Sequence, residues 1–515
     1  MKSMKPFFRY LLAFALFLGA AGFAACSSDE GDDARYVISF TENPVMAGSA
    51  EADYSVVVRS SHPWTAVSSA EWITQVTPSG EDGMSLSFRV LANEEAEFRD
   101  GTITLSVSGT SYVKSLTVRQ MGHGGSLTID PDPVAFATGG GEQEVIVYAP
   151  NGWEIGSVSD GWISAERKNS SALVVSTEPN YTGQPLAGTI TLRDGAGEDA
   201  YTLPVTQEFD ASLFLGASTP MGRRLAFNAA GLVNTVISDE QYALDDGVNV
   251  LEIAYMGTAT GVMAPTRLFV FDVDLQSGAS LAVTAADDQD ASIRPTDAEL
   301  TRTQIIREQL AAMQANRPEL TVLGGVNGDF FYGGISVEAR NNLLHGIVYR
   351  RGVCLKNTFD GGSVCTVFAL LDDGTARCLT QTQYAALDKS TIREALGGRQ
   401  QLLAGGEMVS TDTTLEPRTG VGVSRDGRRV TILVIDGRRD SYSVGASYVI
   451  MSTMFRAFDV WEAINLDGGG SSTFAVRRTD AAASSTDLFE TRNRPTDTAG
   501  DRAVVDGIAI VRPLK

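Results

Sequence analysis

Three apolar segments of this chain each run into a loop that combines carboxylates with glycines. Residues 321–326 lead into Asn327-Gly328-Asp329-Phe330-Phe331, residues 430–435 into Asp436-Gly437-Arg438, and residues 461–466 into a loop that, with the segment's end, reads Asn465-Leu466-Asp467-Gly468-Gly469-Gly470-Ser471-Ser472. Pro417-Arg418-Thr419-Gly420 and Gly405-Gly406-Glu407 lie between the first and last of these. Successive glycines let backbone N–H groups approach an anion closely, and the Ser471 and Ser472 hydroxyls add donors, so the last loop can cradle a phosphate. Arg418 and Arg438 offer planar forks matched to phosphate oxygens. Each feature also has a bland reading: a tight glycine turn, an arginine paired with a structural carboxylate, an aspartate that merely starts a turn. The chemical reading is favoured because the pattern recurs where buried strands end, the place at which α/β domains build their sites.

The elements that must carry these loops can be read from periodicity. Residues 321–326, 430–435 and 461–466 are continuous apolar runs, as expected of buried strands covered by helices, and residues 267–275 form another strand. Residues 303–316 place Ile306, Leu310 and Met313 on one face of a helix that Pro318 cannot continue. A second helix is expected over residues 447–458. The region from 209 to 515 is thus predicted to be an α/β or α+β catalytic-type domain with a mixed β-sheet.

Taken in order, VNGDFF, PRTGVGV, VIDGR and NLDGGGSS, followed by Asn493-Arg494-Pro495 and Arg502, resemble the phosphodiester glycosidase domain family over about residues 244–512. That family includes the uncovering enzyme, which removes N-acetylglucosamine from mannose 6-phosphate tags. The resemblance implies hydrolysis of a sugar joined through its anomeric carbon to a phosphodiester. Such cleavage builds positive charge on the sugar ring and negative charge on the departing phosphate, so a carboxylate is needed near C1 and arginines near the phosphate. The leaving phosphomonoester has a second pKa of about 6 and departs with little need for a strong acid. On this reading Asp467 is the leading carboxylate at the reacting centre, Asp329 and Glu407 are candidate partner acid or base, and Asp436 orients Arg438. Asn327, Arg418, Arg438, Asn465, Gly468, Gly469, Gly470, Ser471 and Ser472 are expected to bind substrate. Phe330 and Phe331 shape the sugar pocket or pack in the core, and His345, with no partner motif, reads as structural.

Upstream lies an internal repeat. Pro63-Trp64 aligns with Gly152-Trp153, Trp72-Ile73 with Trp162-Ile163, and Thr102-Ile103-Thr104 with Thr189-Ile190-Thr191; each unit ends in a valine-bearing strand closing on Gln120 or Gln207. Alternating short strands with polar turns predict two all-β, immunoglobulin-like sandwiches over residues 36–121 and 125–208. The repeat resembles the BACON family, found N-terminal to carbohydrate-active enzymes. Trp64, Trp72, Trp153 and Trp162 could stack on sugars, but tryptophans at matched places in a small sandwich are better read as core.

The first 25 residues show basic, apolar and small-residue regions ending at Cys26, as in a secretory signal with a lipobox. Cys26 is the expected lipidation site and residues 26–35 an acidic tether, giving an outer-membrane or cell-surface protein held through a lipid anchor. The chain of 515 residues suits about three domains. Its net charge of −22 argues against nucleic acid as a partner and leaves a sugar-1-phosphodiester glycan open. Three histidines leave little material for a transition-metal site; no cofactor is required, although oxygen ligation of calcium or magnesium is open. Cys354, Cys365 and Cys378 could form one disulfide and one free thiol. The competing functions are a metal-dependent phosphodiesterase that cleaves P–O and a non-catalytic glycan-binding surface lipoprotein.

Overall fold

The computed structural model describes residues 36–95, 98–122, 127–149, 152–194, 197–259, 261–293, 301–332, 343–479 and 487–514. The expected signal segment, Cys26 and the expected acidic tether lie outside the described residues.

The first repeat unit is a sandwich of two sheets. One pairs Ile38–Phe40, Ala52–Ser60, Ser85–Val90 and Ile73–Thr74; the other pairs Val45–Ala47, Val113–Gln120, Arg99–Val107, Trp64–Ser68 and Ser79–Gly80. Alternating strand residues fill the space between them, with Trp64, Phe88, Ile103 and Leu116 in the core. In the second unit Thr128–Asp130, Gly141–Tyr148, Ala172–Thr177 and Ile163–Asn169 form one sheet, while Asp199–Gln207, Leu186–Asp194 and Trp153–Val158 lie side by side in another. The two aligned tryptophans serve alike: both are buried, and their indole N–H groups donate to the carbonyls of Glu81 and Ser170. The closing glutamines match as well. Gln120 donates to the carbonyls of Gly48 and Leu91, and Gln207 to those of Thr138 and Glu178.

The C-terminal region is α+β. An eight-stranded sheet runs in the order Val233–Asp245, Val248–Thr258, Met263–Asp274, Arg429–Ile435, Arg418–Val423, Glu462–Asn465, Gln401–Ala404, Glu407–Met408. A five-stranded sheet orders Ser280–Ala285, Asp506–Pro513, Leu320–Asn327, Phe474–Arg477 and Phe489–Thr491. A second five-stranded sheet orders Val353–Lys356, Val348–Arg350, Ile392–Gly398, Thr366–Leu371 and Ala376–Thr380. Strand direction refines the expectation of a mixed sheet: every pairing recorded between these strands is antiparallel.

All three sheets contribute to one core, in which Phe271, Val434 and Ile464 meet Val326, Phe474 and Ile508 and also Val348, Phe368 and Leu396. Phe271 and Phe474 stack with ring centroids 3.9 Å apart. Helices cover the far faces. Tyr448–Ala457, capped by the Ser447 hydroxyl on the N–H of Ile450, and Pro220–Asn228 pack on the eight-stranded sheet. Ile306–Asn316 lays Ile306, Leu310 and Met313, all fully buried, on the sheet that contains Leu320–Asn327. The continuous apolar strands therefore have a sheet on one side and a helix on the other, whereas the sequence pointed to helices alone.

Candidate active site

The site is built where Leu320–Asn327, Arg429–Ile435 and Glu462–Asn465 end and Arg418–Val423 begins, so loops from two different sheets meet there. Asn327 ties them together. Its Nδ2 donates to the carbonyl of Asp467 at 2.6 Å, and its Oδ1 accepts from the Thr419 hydroxyl at 2.7 Å and from the N–H of Thr473 at 3.1 Å. It is fully buried. Asn327 thus fixes the loops and is not exposed to a ligand.

Asp467 keeps part of its surface open, at the head of the glycine loop. Its backbone N–H donates to the carbonyl of Gly328, and its Oδ1 accepts the N–H of Gly468 at 2.9 Å. Burial pushes its carboxyl up to about 6, against the pull of the Ser471 hydroxyl, the Gly468 N–H, Arg502 and Arg399. Behind it stand two fully enclosed acids. Asp506, at the start of Asp506–Pro513, accepts the N–H of Asp329 at 2.8 Å; its Oδ2 has no partner among the described residues. Burial, with the nearby charge of Asp467 adding to it, raises Asp506 to about 7. Asp329 accepts from the N–H groups of Phe330 (2.7 Å) and Gly346 (2.6 Å) and lies well above the ordinary carboxylate range, because it is buried and faces Asp506. Gly346 and Gly397 make the seat of Asp329: a Cβ on Gly397 would overlap its carboxylate and lie 2.6 Å from the Cα of Gly346.

The glycine loop differs from an open cradle. Its residues Gly469–Ser471 form a 3₁₀ turn, and the N–H groups of Gly469, Ser471 and Ser472 donate to the carbonyls of Pro417, Gly468 and Gly469. The glycines serve close packing instead. A side chain on Gly468 would meet the carbonyl of Pro417 at 2.7 Å, and one on Gly470 would overlap the Asp497–Arg502 pair. Gly469, at φ +63°, lies under the guanidinium of Arg438. Arginines thereby flank Asp467. Arg502 is held in a bidentate grip by Asp497 (2.7 and 2.8 Å) and reaches the Ser471 hydroxyl at 3.4 Å. Arg438 is held by Glu416 at 2.6 Å and is half exposed. Arg399 lies 5.3 Å over the Phe330 ring and makes no ion pair among the described residues.

Other predicted residues fall elsewhere or act differently. Arg418 is committed to the carbonyls of Ala446 and Thr414 and stacks on Tyr448. Asp436 does not pair with Arg438. It is buried and receives Asn493, Tyr442 and the N–H of Arg494, and that burial raises its carboxyl above the ordinary range. Asn465 is buried, its Nδ2 3.4 Å from the Tyr448 hydroxyl and its Oδ1 without a partner among the described residues. Glu407 is exposed on the edge strand Glu407–Met408, where it pairs with Ala404. Phe331 packs into the core while Phe330 carries Arg399. His345 packs at a tilt against Tyr332, with ring centroids 4.4 Å apart, and burial, then Arg399 and Lys356, push it down to about 4. The cysteines Cys354, Cys365 and Cys378 are all unpaired.

Asp506 and Arg399 were not singled out from the sequence. Asp506-Gly507 repeats the Asp-Gly signature after an apolar pair, and Gly397-Gly398-Arg399 again puts glycines and a charge at a strand end; both signals were present but short. A further mark is the concentration of unsatisfied groups. Of eleven buried side-chain polar atoms without a partner among the described residues, six belong to His345, Thr366, Asn465, Ser472 and Asp506. Buried polar groups are ordinarily paired, so their clustering marks a place where a ligand or solvent completes the structure. No group of three or more His, Cys, Asp or Glu side chains among the described residues is placed to hold a metal ion.

A sheet-layered α+β domain with coupled acids and arginines at its strand ends has the makings of a hydrolase site. Residues 321–511 match the phosphodiester glycosidase family, and residues 62–121 match BACON, described as an N-terminal binding domain. The chain thus has a C-terminal segment similar to the phosphodiester glycosidase family and an upstream segment similar to BACON. Among solved structures it is similar to the catalytic domain of zebrafish N-acetylglucosamine-1-phosphodiester alpha-N-acetylglucosaminidase, auto-inhibited by its pro-peptide: 17% identity, 53% of this chain and 88% of that chain covered, TM-score 0.38. It is also similar to a hypothetical protein from Synechocystis at 11% identity, covering 92% of each chain, TM-score 0.34. Likeness at that level is too slight to assign anything to this chain. No curated protein sequence matches it.

Proposed function

We propose that the protein hydrolyses the anomeric C1–O bond of sugar-1-phosphodiesters, releasing the sugar and a phosphomonoester. The observation that carries this reading is Asp467: a carboxyl raised to about 6, partly open to solvent, with Arg438 and Arg502 against its own loop, inside a segment that matches the phosphodiester glycosidase family. In this scheme ionised Asp467 stabilises the positive charge that grows at C1. Arg399, Arg438 and Arg502 receive the phosphate oxygens as they gain charge. Asp329 and Asp506 are sealed from substrate and act through Asp467. Sharing protons between them limits the negative charge behind it and sets the pH at which it ionises. Arg418 serves as a structural brace.

The decisive experiment is hydrolysis in isotopically heavy water. Attack at C1 puts the heavy oxygen on the sugar, whereas P–O cleavage puts it on the phosphate; heavy phosphate, with activity abolished by a chelator, overturns the glycosidase reading. We further propose that the protein is anchored at the cell surface through lipidated Cys26, on the strength of the basic, apolar and small-residue pattern before it. Cys26→Ser is expected to abolish lipid labelling and membrane retention, and unchanged fractionation refutes this.

A further inference from the structure

One buried ammonium has no part in the scheme above. Lys356 ends the strand Val353–Lys356 and is only 2% exposed, in a position where lysines are rarely found unless paired. All three of its donors are used: on the carbonyls of Gly346 (2.9 Å) and Thr358 (2.7 Å), and on Asp360 Oδ2 at 2.7 Å. The loop that carries Asp360 is tied in turn to the segments beside Asp329. Its Asp360 N–H donates to the carbonyl of His345 at 2.7 Å, and its Asp360 carbonyl accepts the Tyr332 hydroxyl at 2.7 Å. A buried ammonium loses its hydration, whereas methionine would fill similar space without that loss, so packing alone does not call for a lysine here.

The geometry relates this charge to Asp329. Gly346, whose carbonyl Lys356 holds, is also the residue whose N–H donates to Asp329 at 2.6 Å, and it lies against Gly397 in the seat of that acid. Burial and the facing Asp506 keep Asp329 protonated; the N–H groups of Gly346 and Phe330, and then the charge of Lys356, oppose them. The neighbouring cations bear on other acids. Arg502 and Arg399 act on Asp467, and Arg350, committed to Asp288 and Asp290, acts on Asp506. Of the remaining groups that face the ammonium, His345, at about 4, and Cys365, raised by burial, are uncharged at neutral pH.

We infer that Lys356 is a positioning residue for the sealed acids: it holds Gly346 over Asp329 and supplies a positive charge beside it, so that the pair can carry a negative charge behind Asp467. Its consequence for turnover rests on the activity proposed above, since that negative charge favours the positive charge growing at C1. The test follows the aspartate carboxyl carbons of the full chain by NMR as the pH is varied, in the wild type, Lys356→Met and Asp360→Asn. The two variants break the same ion pair but leave opposite charges behind. Lys356→Met is expected to raise the first titration of the Asp329–Asp506 pair, near pH 7 in the wild type, by about 1 unit or more. Asp360→Asn, which leaves the ammonium without its counter-charge, is expected to lower it. A clamp with no electrostatic role moves both variants the same way or neither, and that result overturns the inference. If Lys356→Met does not fold, Asp360→Asn decides alone: a lowered midpoint sustains the inference, and an unmoved or raised one overturns it. With a sugar-1-phosphodiester as substrate, the ratio of wild-type to Lys356→Met kcat should grow about 3-fold or more from about pH 5.5 to about pH 8; a constant ratio overturns the part of Lys356 in the reaction. If no such ester is turned over, the proposed activity fails separately, and the carboxyl titrations still judge Lys356.

Discussion

Replacing Asp506 by asparagine removes a buried charge while leaving its one hydrogen bond intact. Asp506 is fully buried; Oδ1 takes the N–H of Asp329, and Oδ2 has no partner among the described residues. Its carboxyl stands at about 7 against an ordinary 3.8. Because the folded form holds the proton more tightly, the group's contribution to stability is full below pH 4 and is lost as the pH rises through 7. A shift of about three units, at about 1.4 kcal/mol each, amounts to roughly 4 kcal/mol by pH 8 as an upper bound, since Asp329 shares the proton. Asp506→Asn escapes that loss. It is expected to match wild type within about 1 kcal/mol at pH 4.5 and to exceed it by about 2–4 kcal/mol at pH 8. Amide hydrogen exchange of peptides covering Leu320–Asn327 and Asp506–Pro513, corrected for intrinsic rates, reads the difference where it arises. A stability difference between the two proteins that is the same at both pH values would refute the account of the coupled acids.

Asp467→Asn is expected to lower kcat by about 100–1,000-fold with little change in KM. It should also erase an acidic limb that brings wild-type turnover to half its maximum near pH 6; a folded variant of undiminished turnover removes Asp467 from the chemistry. Gly397→Ala pushes a methyl group into the seat of Asp329 and is expected to destabilise the domain by about 2–4 kcal/mol in denaturant titration, whereas an unchanged midpoint contradicts the packing described. Arg399→Ala should raise KM for a phosphodiester about 10-fold without lowering Tm, measured by initial rates and calorimetry. Arg418→Ala, which strips donors from the carbonyls of Ala446 and Thr414, should instead lower stability by about 1–3 kcal/mol.

Much of this molecule can be read from its residues because the signals are local. Ile306, Leu310 and Met313 recur at helical spacing, and the observed helix Ile306–Asn316 buries all three. Aligned Trp64 and Trp153 and aligned Gln120 and Gln207 occupy matching environments, as expected of repeated folding units. Aspartates at the ends of apolar strands stand out for the same reason. What a strand end does not disclose is which neighbour comes to it. Asp436 looked like a partner of Arg438 two residues on, yet Arg438 takes φ +60°, turns to Glu416, and leaves Asp436 to Asn493 and Arg494. Asp329 reads as a candidate partner acid or base, and nothing in VNGDFF indicates that Gly346 and Gly397, the latter on another sheet, close over it. Glu407 follows two glycines, as site residues often do, but those glycines turn a hairpin against Trp461 and leave the glutamate outside. Such pairings are made across sheets, over sequence separations that no spacing rule spans.

Asp506, which seats Asp329 through its N–H, belongs to the strand Asp506–Pro513, the latest in chain order of all the elements that build the site. That strand lies between Ser280–Ala285 and Leu320–Asn327, so the middle of its sheet stays open until it inserts. A growing chain therefore presents the glycine loop, the arginines and Asp467 before the strand that joins Ser280–Ala285 to Leu320–Asn327, and a chain cut short anywhere before residue 506 lacks the acid that seats Asp329.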